Sequence, residues 1–163
     1  MFREMRRKKQ QLSESGCSNI FARGTSGVLA ILGDEGYPYA VPLSYVYDDH
    51  KIYFHSAKAG HKIDAIRSCS KASFCVIDQD QLVPEEYTTY FKSVIAFGKI
   101  RLLEDPAEKR EAIEKLAIKY YPANNKANRN HSIDKEWDPL CAFVLSVEYM
   151  TGKAAIELVR GNM

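Results

Sequence analysis

The chain has 163 residues, 45% of them hydrophobic and 27% charged, and a net charge of +2. That length suits one domain with a real core, and so small a net charge argues against nucleic acid or a membrane surface as the main partner. No run of 18 apolar residues offers a membrane span, and the basic N-terminus lacks the apolar segment of a secretory signal, so a cytoplasmic protein is expected.

Residues 1–12 read as a basic arm or short helix, with Arg3, Arg6, Arg7, Lys8 and Lys9 crowded together. Short basic termini are usually solvated ends. Ser13 followed by Glu14 can cap a helix over 14–22, with Ile20 and Phe21 as its apolar contacts. Gly24 to Gly27 ends it. Val28 to Leu32 is an apolar run of strand length. Gly33-Asp34-Glu35-Gly36 is a hairpin turn signal. Tyr39 to Tyr47 reads as a strand that Pro42 interrupts, which places that position at an edge, a bulge or a ligand. Asp48 to Lys51 turns the chain into a strand over Ile52 to Ser56, and a helix follows over Gly60 to Ser68.

Ala72 to Asp78 predicts a strand, Gln79 to Glu86 a polar loop, and Tyr87 to Leu103 a long β stretch with Gly98 at a bulge or bend. Asp105-Pro106 opens a helix whose stripe is Ala112, Ile113, Leu116 and Ala117, stopping near Tyr121-Pro122. Ala123 to Lys135 reads as an exposed polar loop. Leu140 to Tyr149 and Lys153 to Val159 read as two more strands. Six or seven strands at hairpin spacing with two or three helices predict a mainly β, α+β protein: a small antiparallel β-barrel decorated by helices.

Cys17, Cys69, Cys75 and Cys141 are widely spaced and form no C-x-x-C pair, so free, mostly buried thiols are expected. His55 and His61 lack an acidic or Cys partner at ligand spacing, and no metal site is expected. No nucleophile elbow, dinucleotide fingerprint or P-loop string occurs.

Two features carry chemistry. The string Ala57-Lys58-Ala59-Gly60-His61-Lys62 puts small residues and a cation at a helix start, where free amides and the dipole favour an anion. Its bland alternative is a helix start whose Lys and His face solvent. Val41-Pro42-Leu43-Ser44-Tyr45 is a strand along which a planar ring can lie, with the Ser44 hydroxyl in reach. Its bland alternative is an edge strand guarded by Pro42. The tyrosines from 37 to 53 suit a pleated surface better than a stacking platform.

The segment Gly36 to Tyr45, then Ile52 to Ala57, then Gly60-His61-Lys62, resembles the flavin site of the pyridoxamine 5′-phosphate oxidase-like superfamily. More narrowly it resembles the Nim branch, the 5-nitroimidazole resistance proteins, as do Met5-Arg6-Arg7 and the Glu148…Thr151-Gly152-Lys153 ending. The resemblance covers nearly the whole chain. It implies a single split β-barrel domain over 1–163 that binds FMN at a homodimer interface. It implies that Val41, Pro42, Leu43, Ser44 and Tyr45 lie along the ring, and that His55, Ser56, Ala57, Gly60, His61 and Lys62 hold the phosphate end. Trp137 and Lys153 are its candidates to reach across. It implies an oxidoreductase or nitroreductase of small aromatic compounds; a non-catalytic flavin module, or a pyridoxamine 5′-phosphate oxidase-like oxidase, is the alternative. A nucleic-acid-binding protein using the basic arm is the weakest reading. No catalytic residue stands out, as expected where a cofactor supplies the redox chemistry.

Overall fold

The structure, a computed structural model, describes residues 1–160. Helix α1 (Glu14–Arg23) is capped by the Ser13 side chain, which accepts from the Gly16 amide at 3.1 Å. Strands β1 (Ser26–Leu32) and β2 (Pro38–Ser44) form a hairpin, and β3 (Val46–Asp48) and β4 (Lys51–Ala57) form the next. Asp49 and His50 take positive φ at the second turn, as a two-residue hairpin loop requires. Then come α2 (His61–Ser68), β5 (Lys71–Val83), β6 (Thr88–Leu102), α3 (Pro106–Tyr120), α4 (Lys126–Lys135), β7 (Leu140–Ala154) and α5 (Ile156–Arg160).

The strands form one antiparallel sheet in the order β2-β1-β5-β6-β7-β4-β3. The two end strands of that order, β2 and β3, are separated in sequence by Tyr45 alone. The sheet therefore curls until its edges meet at one residue, which makes a barrel. Pro42 lies on an end strand, where a missing N–H is tolerated. Tyr45 is fully buried, its hydroxyl donates to the Phe21 carbonyl at 2.8 Å, and its ring meets the edge of Phe74.

Two apolar layers follow from strand alternation. Phe54, Phe143 and Leu145 point into the barrel, beside Phe21, Leu29, Phe74 and Val94. Tyr53, Ala142 and Val144 point outward and are covered by Ile113 and Leu116 of α3 and Ile133 of α4. That is why residues 142–145 are apolar without alternation: both faces of β7 are buried there. Gly98 sits where the β6–β7 register shifts, and a Cβ there would stand 1.9 Å from the Ser146 carbonyl oxygen. Only glycine fits that approach.

Four expectations are corrected. Gln79 to Val83 continues β5 beyond a register shift at Ile77/Gln79 and pairs with Thr88–Lys92 of β6. Residues 126–135 form α4 instead of a loop, because the Asn125 side chain accepts from the Asn128 amide at 2.8 Å and Ile133 packs inward. Lys153 to Val159 is no separate strand: β7 runs unbroken to Ala154, and α5 follows. The strand predicted over Tyr39 to Tyr47 is split at Tyr45. At the N-terminus, a 3-10 turn at Lys8–Gln10 leads to a bridge between Gln11 and Lys153.

Candidate functional site

On β2 the side chains of Tyr39, Val41 and Leu43 pack on the barrel core, while Pro42 and Ser44 are exposed outward. On β4 Phe54 is buried and His55 faces out. The β3–β4 register sets Val46 opposite Tyr53. Ser44, at the end of β2, and His55 of β4 line one cleft of about 490 Å³. Its walls are apolar: Ile113, Leu116 and Tyr120 of α3, Ile133 of α4, and Leu140. Arg129 of α4 also lines it. Burial, and then the charge of Lys62, hold the His55 imidazole below its ordinary pKa, so it is neutral near pH 7.

Beside this cleft the chain builds a cationic end. Gly60 has φ +119°, which a side chain rarely adopts, and it begins α2 with no side-chain cap. Ser13, Asp105 and Asn125 cap α1, α3 and α4. The first amides of α2 have no intrahelical acceptor. Lys62 is half-buried, 5.9 Å above the Phe143 ring, and burial lowers its pKa.

Lys58, Arg67 and Lys109 line an adjoining cavity of about 370 Å³ with Trp137, Cys141 and Glu104. Leu140 belongs to both cavities. Lys109 is only 9% exposed. Its Nζ donates to the Trp137 carbonyl at 3.0 Å and lies 4.0 Å from the Trp137 ring. Burial, with Lys58 nearby, pushes the Lys109 pKa down.

The residues expected from sequence divide. Ser44 and His55 share the cleft; Ala57, Gly60 and Lys62 stand at the cationic end. The Ser56 hydroxyl donates to the neighbouring Ala57 carbonyl at 2.9 Å. The side chains of Val41 and Leu43 point into the core, so only their backbone is available to a ligand outside, while Tyr45 is fully buried and its N–H and carbonyl both meet the Tyr120 hydroxyl. His61 turns away from Lys62. It stacks on Tyr39, with ring centroids 4.2 Å apart, and its Nε2 accepts the Asp34 amide at 3.3 Å. Trp137 packs on Lys109. Lys153 lies on β7 past Thr151, roughly 35 Å of extended chain beyond Ala142, with its Nζ 5.1 Å over Phe91.

Tyr120, Arg129, Lys58, Arg67 and Lys109 were not foreseen as site residues. Lys58 stood inside the anion-seat string. Arg129 was hidden because its segment read as a loop, and the Asn125 cap was the available signal.

Residues 13–146 match the family described as Pyridoxamine 5′-phosphate oxidase. The chain belongs to this family. No protein of curated function matches it significantly. Among solved structures, it is similar to a candidate 5-nitroimidazole antibiotic resistance protein from Bacteroides thetaiotaomicron, with TM-score 0.75 and 22% identity over 88% of this chain and 86% of that one. A conserved hypothetical protein from Mycobacterium tuberculosis superposes with TM-score 0.79 and 16% identity, over 93% and 90% of the two chains. An FAD-binding protein from Mesorhizobium loti gives TM-score 0.63 and 24% identity, over 90% and 97%. These likenesses establish the fold: this member of the pyridoxamine 5′-phosphate oxidase family is an antiparallel split barrel.

Among the described residues no group of three His, Cys, Asp or Glu side chains could hold a metal ion, and no helix is long and apolar enough to cross a membrane. The four cysteines are free. The outward face of the β2-β1-β5 end of the sheet is apolar and uncovered. In register, Pro42 lies beside Val28, Val28 beside Cys75, and Cys75 beside Ile95. Val28 is 39% and Ile77 66% exposed, so this family member presents a flat apolar face next to its cleft.

Proposed function

We propose that the protein is an FMN-binding oxidoreductase that passes electrons to small aromatic compounds, nitroaromatics among them. The observation that carries this reading is the uncapped start of α2, with Gly60 at positive φ and Lys62 beside it, opening next to the apolar cleft of Ser44 and His55. An amphipathic flavin nucleotide has those two ends. Pro42, Ser44 and His55, with the backbone of Val41 and Leu43, would seat the ring. Ser56, Ala57, Gly60 and the amides of His61 and Lys62 would take the phosphate, with Lys58 and Arg67 adding charge. Family membership and the neighbour described as FAD-binding support a flavin in general; a single phosphate-sized seat at α2 supports FMN.

Bound flavin supplies electron-transfer chemistry that side chains lack. The residues of this chain bind and orient. Neutral His55 offers one donor and one acceptor at the cleft floor. The apolar walls of α3 and α4 exclude water from a planar occupant. A second copy of the chain would cover the exposed face around Val28, Pro42 and Ile77 and close the site as a symmetric homodimer. Lys153, remote from its own cleft, and Trp137 are the candidates to serve the partner's site.

The test is direct. Purified protein should quench the fluorescence of added FMN and then oxidise NADH or NADPH with a nitroaromatic acceptor at a steady rate. Failure to bind FMN would defeat the proposal; FMN binding without turnover on any acceptor would leave a non-catalytic flavin module.

A further inference from the structure

Among the described residues Arg129 is the one arginine on the wall of the apolar cleft. Its Nη1 donates to the Asn124 carbonyl at 3.2 Å. Its Nε is shut off from water and has no hydrogen-bond partner, and among the described residues no carboxylate pairs with it. A guanidinium stays charged at any working pH and carries five donors. A buried donor left unpaired costs free energy that an acceptor in the right place recovers. With Nη1 engaged and Nε shut off from water, Nη2 is the donor left open to a ligand, and it can hold a carboxylate oxygen by a charge-assisted hydrogen bond.

We infer that this cleft is a binding site for a small aromatic carboxylate, its acid group on Arg129 and its ring against Tyr120 and Ile133. The cavity, about 490 Å³, lies within the range of sites for small organic molecules, roughly 300–1,000 Å³. Its lining is mainly hydrocarbon and aromatic, which suits a flat ring. Glu136 shares the cleft, so a doubly charged phosphate would meet one guanidinium and one repelling carboxylate. A singly charged carboxylate on the Arg129 side meets the cation without needing a second. The clustered cations Lys58, Arg67 and Lys109 lie in the adjoining cavity. This deepens the flavin proposal and rests on it only for consequence: an acid bound here would lie beside the ring seated at Ser44 and His55, as its electron acceptor or donor.

Benzoate, benzamide and inorganic phosphate are titrated calorimetrically into the full chain, with and without FMN. Benzoate should bind about tenfold or more tightly than benzamide, the gain of a charged hydrogen-bonded pair. Arg129→Gln should erase that preference, Arg129→Lys should keep part of it, and Lys126→Gln, the same charge change on an exposed position of α4, should keep all of it. Equal affinity for benzoate and benzamide in the wild-type chain, or an unchanged preference in Arg129→Gln, overturns the inference. So does a preference for phosphate that depends on Arg129. The wild-type comparison decides even if Arg129→Gln does not fold. Benzoate preference without FMN binding would sink the flavin proposal and leave an acid-binding cleft; FMN binding without benzoate preference would do the reverse.

Discussion

The Tyr120 hydroxyl stands 3.0 Å from both the amide nitrogen and the carbonyl oxygen of Tyr45. It accepts the Tyr45 N–H and has one proton for the carbonyls of Tyr45 and Thr25. Tyr45 is where the chain leaves β2 for β3, so its backbone has no ladder partner of its own. One phenol from α3 therefore satisfies the seam of the barrel and walls the cleft.

Tyr120→Phe should strip the Tyr45 amide of its partner while keeping the ring. The expected loss is about 1–3 kcal/mol, the cost of a buried unpaired donor. Urea denaturation checks it: the midpoint should fall with the slope unchanged. An unchanged midpoint would mean that water replaces the hydroxyl.

Gly98→Ala places a methyl against the Ser146 carbonyl, at 1.9 Å before any shift. Backbone cannot retreat as a flexible side-chain tip can. The variant should be destabilised by about 1–3 kcal/mol or more, the range for overpacking. Thermal unfolding with a midpoint like that of the parent would contradict the bulge geometry.

His55 has a predictable acid response. Burial and Lys62 lower its folded-state pKa, so below the ordinary value of about 6.5 the unfolded chain takes up a proton that the folded chain resists. Above pH 6.5 the group costs nothing; as pH falls from there, stability should decline. His55→Gln should flatten this part of the curve, between roughly pH 6.5 and 5, where the carboxylates are still ionised. Proton NMR should find the imidazole titrating below 6.5 and moving upward in Lys62→Ala.

Much of the chain was legible because its signals are local. Ser13, Asp105-Pro106 and the Ala112–Leu116 stripe mark helices by capping and periodicity, and both helices stand where they predict. Gly98 announced a bulge that the Ser146 contact explains. Barrel closure was not legible in detail: nothing about Tyr45 distinguishes a seam from a continuous strand, because the break is made by Tyr120, far along the chain. The site followed the same division. Ser44, His55 and Lys62 lie within one short stretch and were foreseen, whereas Arg129 and Lys109 reach the site through the packing of α3 and α4 on β7. His61 shows the converse. Its neighbour in sequence faces the cationic end, but the first turn of α2 aims His61 at Tyr39 instead.

The exposed face gives an assembly prediction. Val28→Asp together with Ile77→Asp puts charge onto an outward apolar face without touching the core. If a second copy covers that face, sedimentation should change from dimer to monomer, and FMN should bind more weakly. A dimer that survives both charges would place the interface elsewhere.

FMN and riboflavin binding to the wild-type chain and to Lys62→Ala, followed by fluorescence quenching, tests the central claim most directly. The wild-type chain should prefer FMN. Lys62→Ala should weaken FMN by about 1.5–3 kcal/mol, the worth of a charged hydrogen bond, and leave riboflavin nearly unchanged. Equal losses for both ligands, or no FMN preference in the wild-type chain, would contradict the phosphate seat at Gly60 and Lys62.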